Sequence, residues 1–381
     1  MAAQTEVIVL GLGGIGSAAL YHLAARGLRV IGLEQFGIAH ERGSSHGQTR
    51  LIRQSYFEHS SYVPLVRRAE KLWVELESQT GKRLLERTGL YLAGPTSGVI
   101  VPGVLRAAAA YDIGLERLSH TDARSRFPGF RPSDEMAILF EPDAGCLAVE
   151  DCVATYVAEA SRLGAAVHSN DQAIAWSAEP DEVKVKTEQM TYRAAQLIIC
   201  AGSWTSKLLE NLRFLLEVRR KTVVWVPIVA ESMRKDRGCP VFGFEHEGRF
   251  FYGFPCTDGA TVKVGEHTGG GSIRSPEELD RSLHPTDVEP VADFIRRFVP
   301  GLEPRAVKHS VCMYTMTPDE HFIIDRHPEH SNVVYAAGFS GHGFKFASVI
   351  GSVLADLVTT GTTSEPIGFL RADRPSLQHP R

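Results

Sequence analysis

The sequence predicts an α/β protein in which a parallel-sheet, dinucleotide-binding domain is interleaved with an α+β second domain on an antiparallel sheet. Three observations carry that expectation. A strand, glycine loop, helix and strand open the chain at Val7–Glu34. A second buried strand, Val333–Ala337, runs into another glycine loop and helix near the C-terminus. Between them lie alternating and aromatic runs, such as Lys221–Val229 and Arg249–Phe254, without βαβ rhythm.

Val7–Leu10 is a continuous apolar run, as a strand buried on both faces requires. Gly11, Gly13 and Gly16 follow at GxGxxG spacing, with Gly14 and Ile15 between them. The first glycine permits a tight turn, the second lets backbone approach a pyrophosphate, and the third lets the helix pack on the strand. A helix over Ile15–Arg26 places Ile15, Ala19, Leu23 and Arg26 on one face, and Gly27 can cap it. The next strand, Arg29–Leu33, ends in Glu34, an acid suited to an adenosine ribose, with Gln35 beside it. A βα turn that merely needs glycines is the alternative reading. The fingerprint alone does not choose between NAD and FAD.

The stretch after Glu34 is rich in Gly, Ser and His and reads as a long loop until Tyr62, a length usually either functional or disordered. Its Arg50 and Arg53 point to anion recognition, because guanidinium meets carboxylate or phosphate in a fork. Tyr62–Thr80 and Val149–Leu163 carry helical periodicity. Leu84–Ala93 reads as one strand, Val101–Tyr111 as a helix, and Leu118–Arg126 as containing a short helix. Alternation at Val183, Val185 and Thr187 precedes the apolar run Leu197–Ala201. Thr261–Gly265, Val307–Tyr314 and Phe322–Asp325 read as strands, and Val288–Phe298 and Phe346–Leu357 as helices. The tail after Gly361 reads as partly mobile. Residues 1–80, 146–215 and 306–381 are assigned to the first domain, and 81–145 and 216–305 to the second.

A chain of 381 residues with 43% hydrophobic and 23% charged content is an ordinary globular composition, long enough for two domains. A net charge of −4 gives no broad basic field for nucleic acid or an anionic membrane. No apolar run approaches a bilayer's width and no signal peptide is visible. The six cysteines show no zinc spacing, so no metal is expected. A reducing cytoplasm fits best. The terminal Gln378-His379-Pro380-Arg381 is not a peroxisomal address.

Near the C-terminus, Gly338–Gly343 repeats the physics of the first loop, and the following amides suit a negative group. Lys345 stands at that helix start, where the macrodipole disfavours a cation by a few tenths of a kcal/mol. Beside Arg50 and Arg53 it suggests a carboxylate site.

The segments GLGGIG, RGSSHGQTRLIRQSY, YVPLVRRAEKLW, CAGSW, FYGFP, VKVGEHT, CMYTMTPDEHFIID and AAGFSGHGFKFAS together make the chain resemble a family. It is that of monomeric sarcosine oxidase, N-methyltryptophan oxidase and pipecolate oxidase, among the D-amino-acid-oxidase-like flavoproteins. The resemblance spans roughly Thr5 to Leu370. It implies a Rossmann-like domain holding FAD, and a thioether from Cys312 to the flavin C8 methyl. Composition alone makes Cys312 a small buried apolar residue. By the same resemblance, His46 and Arg50 lie close to the flavin ring. Ser44, Gly338, Gly341, Gly343 and Phe344 complete the implied cofactor contacts. Arg53 and Lys345 would bind a substrate carboxylate, with Tyr252, His267 and Tyr314 on the amine side and Lys263 facing oxygen over flavin N5. The implied reaction is hydride transfer from the N–CH bond of a secondary amino acid to the flavin. Imine hydrolysis and reoxidation by O2 to hydrogen peroxide would follow, in a monomer. Two features depart from the pattern. Gln48 replaces an expected acid, and Phe57 stands where glycine is common, beside Glu58 at the pocket mouth. An NAD-dependent dehydrogenase and a flavin-binding protein without turnover are the alternatives.

Overall fold

The computed structural model describes residues 5–212 and 215–377. Val7–Leu10 lies inside a six-stranded sheet. The order is Ile323–Arg326, Val333–Ala337, Gln196–Ile199, Val7–Leu10, Val30–Leu33, Ala166–His168. All neighbours pair in parallel except Ile323–Arg326, which runs against Val333–Ala337. The unbroken apolar run is explained by what covers each face. Val7 and Val9 pack with the helices Gly14–Ala25, Val149–Arg162 and Ala347–Thr359. Ile8 and Leu10 pack against Val183, Val185 and Tyr192 of a three-stranded antiparallel layer. Period-two alternation thus serves two cores at once.

Glycines mark the points of closest approach. A Cβ on Gly16 would lie 1.8 Å from the Gly11 carbonyl oxygen, and one on Gly351 would lie 2.6 Å from the Ala18 backbone. Gly11 itself has φ +88°.

The second sheet has nine strands. Eight follow the order Ser272–Ile273, Glu217–Pro227, Thr261–Glu266, Arg249–Gly253, Val241–His246, Leu90–Pro95, Met136–Glu141, Glu116–Leu118. The ninth, Lys308–Met316, pairs antiparallel along Glu217–Pro227. Helix Pro285–Phe298 closes one face with an aromatic core in which Phe294 stacks on Phe251 at 4.7 Å. Thr49–Ile52, Gly145–Ala148 and Leu85–Arg87 form a small separate sheet.

Several element boundaries differ from the sequence expectation. Leu84–Ala93 is two strands in different sheets, Leu85–Arg87 and Leu90–Pro95. The break falls at Gly89, with φ +73° and the Phe140 ring 2.3 Å from where a Cβ would be. The segment Leu118–Arg126 begins as strand Glu116–Leu118 and turns at the Ser119 cap into helix His120–Arg126. The loop after Glu34 contains the strand Thr49–Ile52, whose alternation is too short to read. Met136–Glu141 and Val241–His246 were also not anticipated as strands. The expected mobile tail is packed over 362–377. Leu370 is buried, and Arg374 forks the Asp319 carboxylate at 2.7 and 3.0 Å. The expectations on the extreme termini fall on residues 1–4 and 378–381, outside the described residues. Among the described residues no helix is long and apolar enough to cross a membrane.

Gly16→Ala is expected to lower stability by about 2 kcal/mol or more, because its methyl displaces backbone rather than a flexible side chain. A melting temperature equal to the parent's contradicts this account of the helix–strand contact.

Candidate active site

A cavity of about 620 Å³ runs between the two sheets, within the size range of cofactor and ligand sites. One end is the N-terminal loop. Gly11, Gly13, Gly14, Ile15, Glu34, Gln35 and Ser44 line it there. Beyond ordinary contact with Ser45 Oγ, a Cβ on Gly13 would meet nothing, so that backbone is open to a ligand. Gly14 N–H donates to Ser45 Oγ at 3.0 Å. Glu34 accepts the amides of Leu12 (2.8 Å) and Phe36 (3.0 Å), so the acid also ties the loop to the strand end. Gly16 stands behind the wall, turned to the Gly11 carbonyl, in keeping with its packing role.

The middle of the cavity is built on strand Lys308–Met316. Met313, Tyr314 and Thr315 line it. Side-chain alternation puts Ser310, Cys312 and Tyr314 on one face. Ser310 Oγ meets His46 Nδ1 at 3.3 Å, and the Tyr314 hydroxyl meets His267 Nδ1 at 3.4 Å. Cys312 therefore sits between the histidine expected near the ring and the one expected near the substrate. Its cross-strand partner is Lys221. Ser44 Oγ donates to the Met313 carbonyl at 2.7 Å, and Arg50 donates to the carbonyls of Thr49 and Ser44, both at 2.9 Å.

Lys263, His46 and Cys312 are not on the cavity wall. Lys263 is buried behind it, donating to the carbonyls of Gly47 and Thr49 at 2.7 Å each, with its ammonium 4.3 Å over the Phe254 ring. Burial, with Arg50 adding, pushes its pKa well below the usual lysine value. Glu150 orders the same loop by accepting Gly47 N–H at 2.6 Å and Gln48 N–H at 3.1 Å. Gln48, the expected departure, turns away to accept from Trp225 Nε1 at 3.0 Å.

At the far end Gly338, Gly341, Gly343 and Lys345 meet Arg53, Glu58, Tyr252 and His267, while the Phe344 ring reaches back to within 2.8 Å of where a Cβ on Gly14 would sit. Gly341, at φ +80°, lets the Tyr314 ring approach within 2.2 Å of where a Cβ would sit. Arg53 is 3% exposed. It pairs with Glu58 at 2.6 Å, donates to Ser55 O at 2.5 Å, and lies 4.4 Å from both the Tyr56 and Phe57 rings. Burial opposes ionisation of Glu58, but Arg53, with His342 and Lys345, outweighs it and holds the carboxyl at about 2. Lys345 turns back from the helix start to donate to His342 O at 2.9 Å and Tyr56 Oη at 3.4 Å. Burial, then Arg53, lowers it to about 7.

Neutral groups complete this end. Burial pushes His267 down to about 4 and raises the phenols of Tyr252 and Tyr314. His342 Nε2 contacts the Glu320 carbonyl at 3.0 Å and Nδ1 contacts the Tyr56 hydroxyl at 2.6 Å. A carbonyl can only accept, so Nε2 carries the proton and Nδ1 accepts from Tyr56. Tyr56 and His342 both lie inside the motifs named above, yet neither periodicity nor spacing marks them in the sequence. Lys221, which donates to Thr268 O at 2.6 Å and Gly269 O at 3.2 Å just after His267, carried no sequence signal.

The cavity fits the FAD that the resemblance implies. His46 Nε2 and Thr49 Oγ1, just behind the wall beside Ser310 and Arg50, are buried without a hydrogen-bond partner among the described residues. The open Gly13 backbone and the helix behind it suit the pyrophosphate. His327, Glu329 and His330 also converge. However, both His327 nitrogens are engaged, by Glu329 N–H at 3.2 Å and the Asn211 amide at 3.0 Å, as in a hydrogen-bonded turn.

A family model described as FAD dependent oxidoreductase (DAO) matches residues 6–357. The chain is 42% identical over 374 residues to monomeric sarcosine oxidase of Streptomyces avermitilis, covering 97% of each. It is 34% identical over 370 residues to N-methyl-L-tryptophan oxidase of Salmonella enteritidis, covering 97% of this chain and 98% of that one. Its fold matches the solved open form of NikD, an unusual amino acid oxidase essential for nikkomycin biosynthesis. That match has a TM-score of 0.85 at 24% identity, covering 97% and 98% of the two chains. With the glycine loop, the cation-lined cavity and these similarities together, the chain belongs to the FAD-dependent oxidoreductase (DAO) family, beside monomeric sarcosine oxidase and N-methyl-L-tryptophan oxidase.

Proposed function

We propose that this protein is an FAD-dependent oxidase of secondary amino acids, N-methyl or cyclic, with O2 as acceptor. It works as a cytoplasmic monomer whose flavin is carried by Cys312. The observation that carries the reading is the convergence of Arg53 and Lys345 on one end of the cavity, beside a neutral imidazole and two neutral phenols. With Arg53 and Lys345 charged and Glu58 ionised, these three side chains sum to one positive charge, and Arg50 adds to the positive field along the cavity. A single substrate carboxylate balances the three, through charge-assisted hydrogen bonds.

Anchoring the carboxylate there presents the amine to Tyr252, Tyr314 and His267. A neutral His267 leaves the amine free of a second cation, which favours the unprotonated nitrogen that hydride loss needs. Bound FAD would supply the acceptor for the hydride of the N–CH carbon and the route for its electrons to oxygen. Cys312 is supported as the attachment point by its place on the face shared with Ser310 and Tyr314. Lys263 is supported as the oxygen-side cation by its fixed, buried position. A developing anion nearby favours its ammonium form, and the fixed charge lowers the cost of forming superoxide.

One preparation tests activity and attachment. The purified protein is expected to be yellow, to bleach anaerobically with a secondary amino acid, and to keep its colour in the acid-precipitated pellet. No bleaching across sarcosine, N-methyltryptophan, pipecolate and proline rejects the oxidase reading, and flavin in the supernatant rejects the Cys312 linkage. Lys263→Met should slow reoxidation by oxygen at least a hundredfold more than anaerobic reduction, in line with losing one preorganised charge. Equal slowing of the two half-reactions removes Lys263 from the oxygen step. Lys345 is a cation below about 7 and loses its proton above it. Affinity for isobutyrate, a carboxylate without an amine, should therefore be full at pH 6 and fall as pH rises through 7 to 9. Lys345→Met should flatten that profile. A parallel pH profile in parent and variant, measured by flavin difference spectra, contradicts the anchor role.

A further inference from the structure

The residue beside the carboxylate anchor is not a bystander. The Phe57 ring covers one face of the Arg53 guanidinium at 4.4 Å and meets Phe250 edge to face at 5.7 Å. Phe250 in turn sets its ring edge to face with His267 at 6.1 Å. All four residues line the cavity. The backbone of Phe57 and the ring of Phe250 are both closely backed. A Cβ on Gly103, in helix Ile100–Tyr111, would come within 2.7 Å of the Phe57 Cβ and carbonyl. One on Gly243, in the neighbouring strand, would come within 2.8 Å of the Phe250 ring. Close packing of this kind does not yield to a bulky ligand without displacing backbone.

We propose that Phe57 and Phe250 form a rigid aromatic wall that determines specificity, admitting N-alkylglycines and excluding amino acids with a bulky side chain on the α-carbon. The inference rests on the oxidase reading above. Its geometry follows from the anchor. The α-carbon is one bond from the carboxylate, so with the carboxylate on Arg53 and Lys345 the α-substituent is the part of the substrate that meets the ring stacked on Arg53. The nitrogen and its alkyl group lie toward Tyr252, Tyr314 and His267, away from Phe57. Discrimination by an apolar wall acts on size, and one misfitting group of atoms is commonly worth tenfold or more in kcat/KM.

The test compares sarcosine with N-methyl-L-phenylalanine in the flavin-loaded parent, Phe57→Gly, the milder Phe57→Leu, and Phe250→Val. The parent is expected to favour sarcosine. The kcat/KM ratio of the larger to the smaller substrate is expected to rise at least tenfold in Phe57→Gly and in Phe250→Val, and less in Phe57→Leu. Calorimetric affinities for two unreactive carboxylates, methoxyacetate and 2-methoxy-3-phenylpropanoate, should shift in the same direction. A general loss of structure lowers both substrates together and leaves the ratio in place. A parent that oxidises both equally, or a ratio and an affinity order unmoved in the variants while sarcosine is still turned over, overturns the wall. A parent that oxidises only pipecolate or proline, whose rings substitute the α-carbon, also overturns the wall, whereas one that bleaches with none of sarcosine, N-methyltryptophan, pipecolate and proline overturns the oxidase reading instead, so the two failures are distinct.

Discussion

Buried positive charge is the constraint around which this molecule is arranged. Arg50, Arg53, Lys221, Lys263 and Lys345 surround one cavity, and among the described residues only Arg53 has a carboxylate in direct contact. Removing cations from water is costly unless each finds acceptors. Here the acceptors are mostly backbone carbonyls. Gly47 and Thr49 hold Lys263, Thr49 and Ser44 hold Arg50, His342 holds Lys345, and Thr268 with Gly269 hold Lys221. The three loops that bound the cavity therefore take the shapes they do because their carbonyls must converge on ammonium and guanidinium groups. The result is an electropositive recess between two apolar cores, a setting suited to a dinucleotide's phosphates and a substrate carboxylate.

The two sheets share the work of holding that recess. Glu141, from the second sheet, accepts the amides of Gln54 at 2.6 Å and Ser55 at 3.2 Å, together with the Ser55 hydroxyl. Burial raises this carboxyl, and the three hydrogen bonds offset part of the cost. The loop that carries Arg53 is thereby pinned to the other domain's sheet. Strand Lys308–Met316 plays the matching part from the opposite direction. It pairs fully with Glu217–Pro227 while its Ser310 and Tyr314 side chains reach His46 and His267. Interleaving the chain between domains lets each contribute rigid strand positions to one site, where loops alone would leave the cations loosely placed.

Glu58 shows how neighbouring charges divide their roles. A lone carboxylate beside a substrate's own carboxylate would repel it. Paired with Arg53, and facing Lys345, it lowers the local charge from two positives to one. The pair also holds the guanidinium plane between the rings of Tyr56 and Phe57.

Much of this was legible in the chain alone. The glycine spacing at Gly11, Gly13 and Gly16, with apolar runs on either side, determined the βαβ unit, because close backbone approach at Gly11 and Gly16 admits no side chain. The motif set around Arg53, Tyr252, Lys263, His267, Cys312 and Lys345 was enough to identify the family, since such combinations do not arise from patterning. Local sequence did not show that Leu84–Ala93 divides between two sheets, because Gly89 breaks the strand for the sake of Phe140, a residue some fifty positions away. Nor did it show that Arg53 is already paired, that Lys263 stands behind the wall, or that Phe57 and Phe250 touch. Those are facts of three-dimensional packing: which carbonyls reach which cation, and which rings share a cavity, depends on strands that meet only when both sheets are formed.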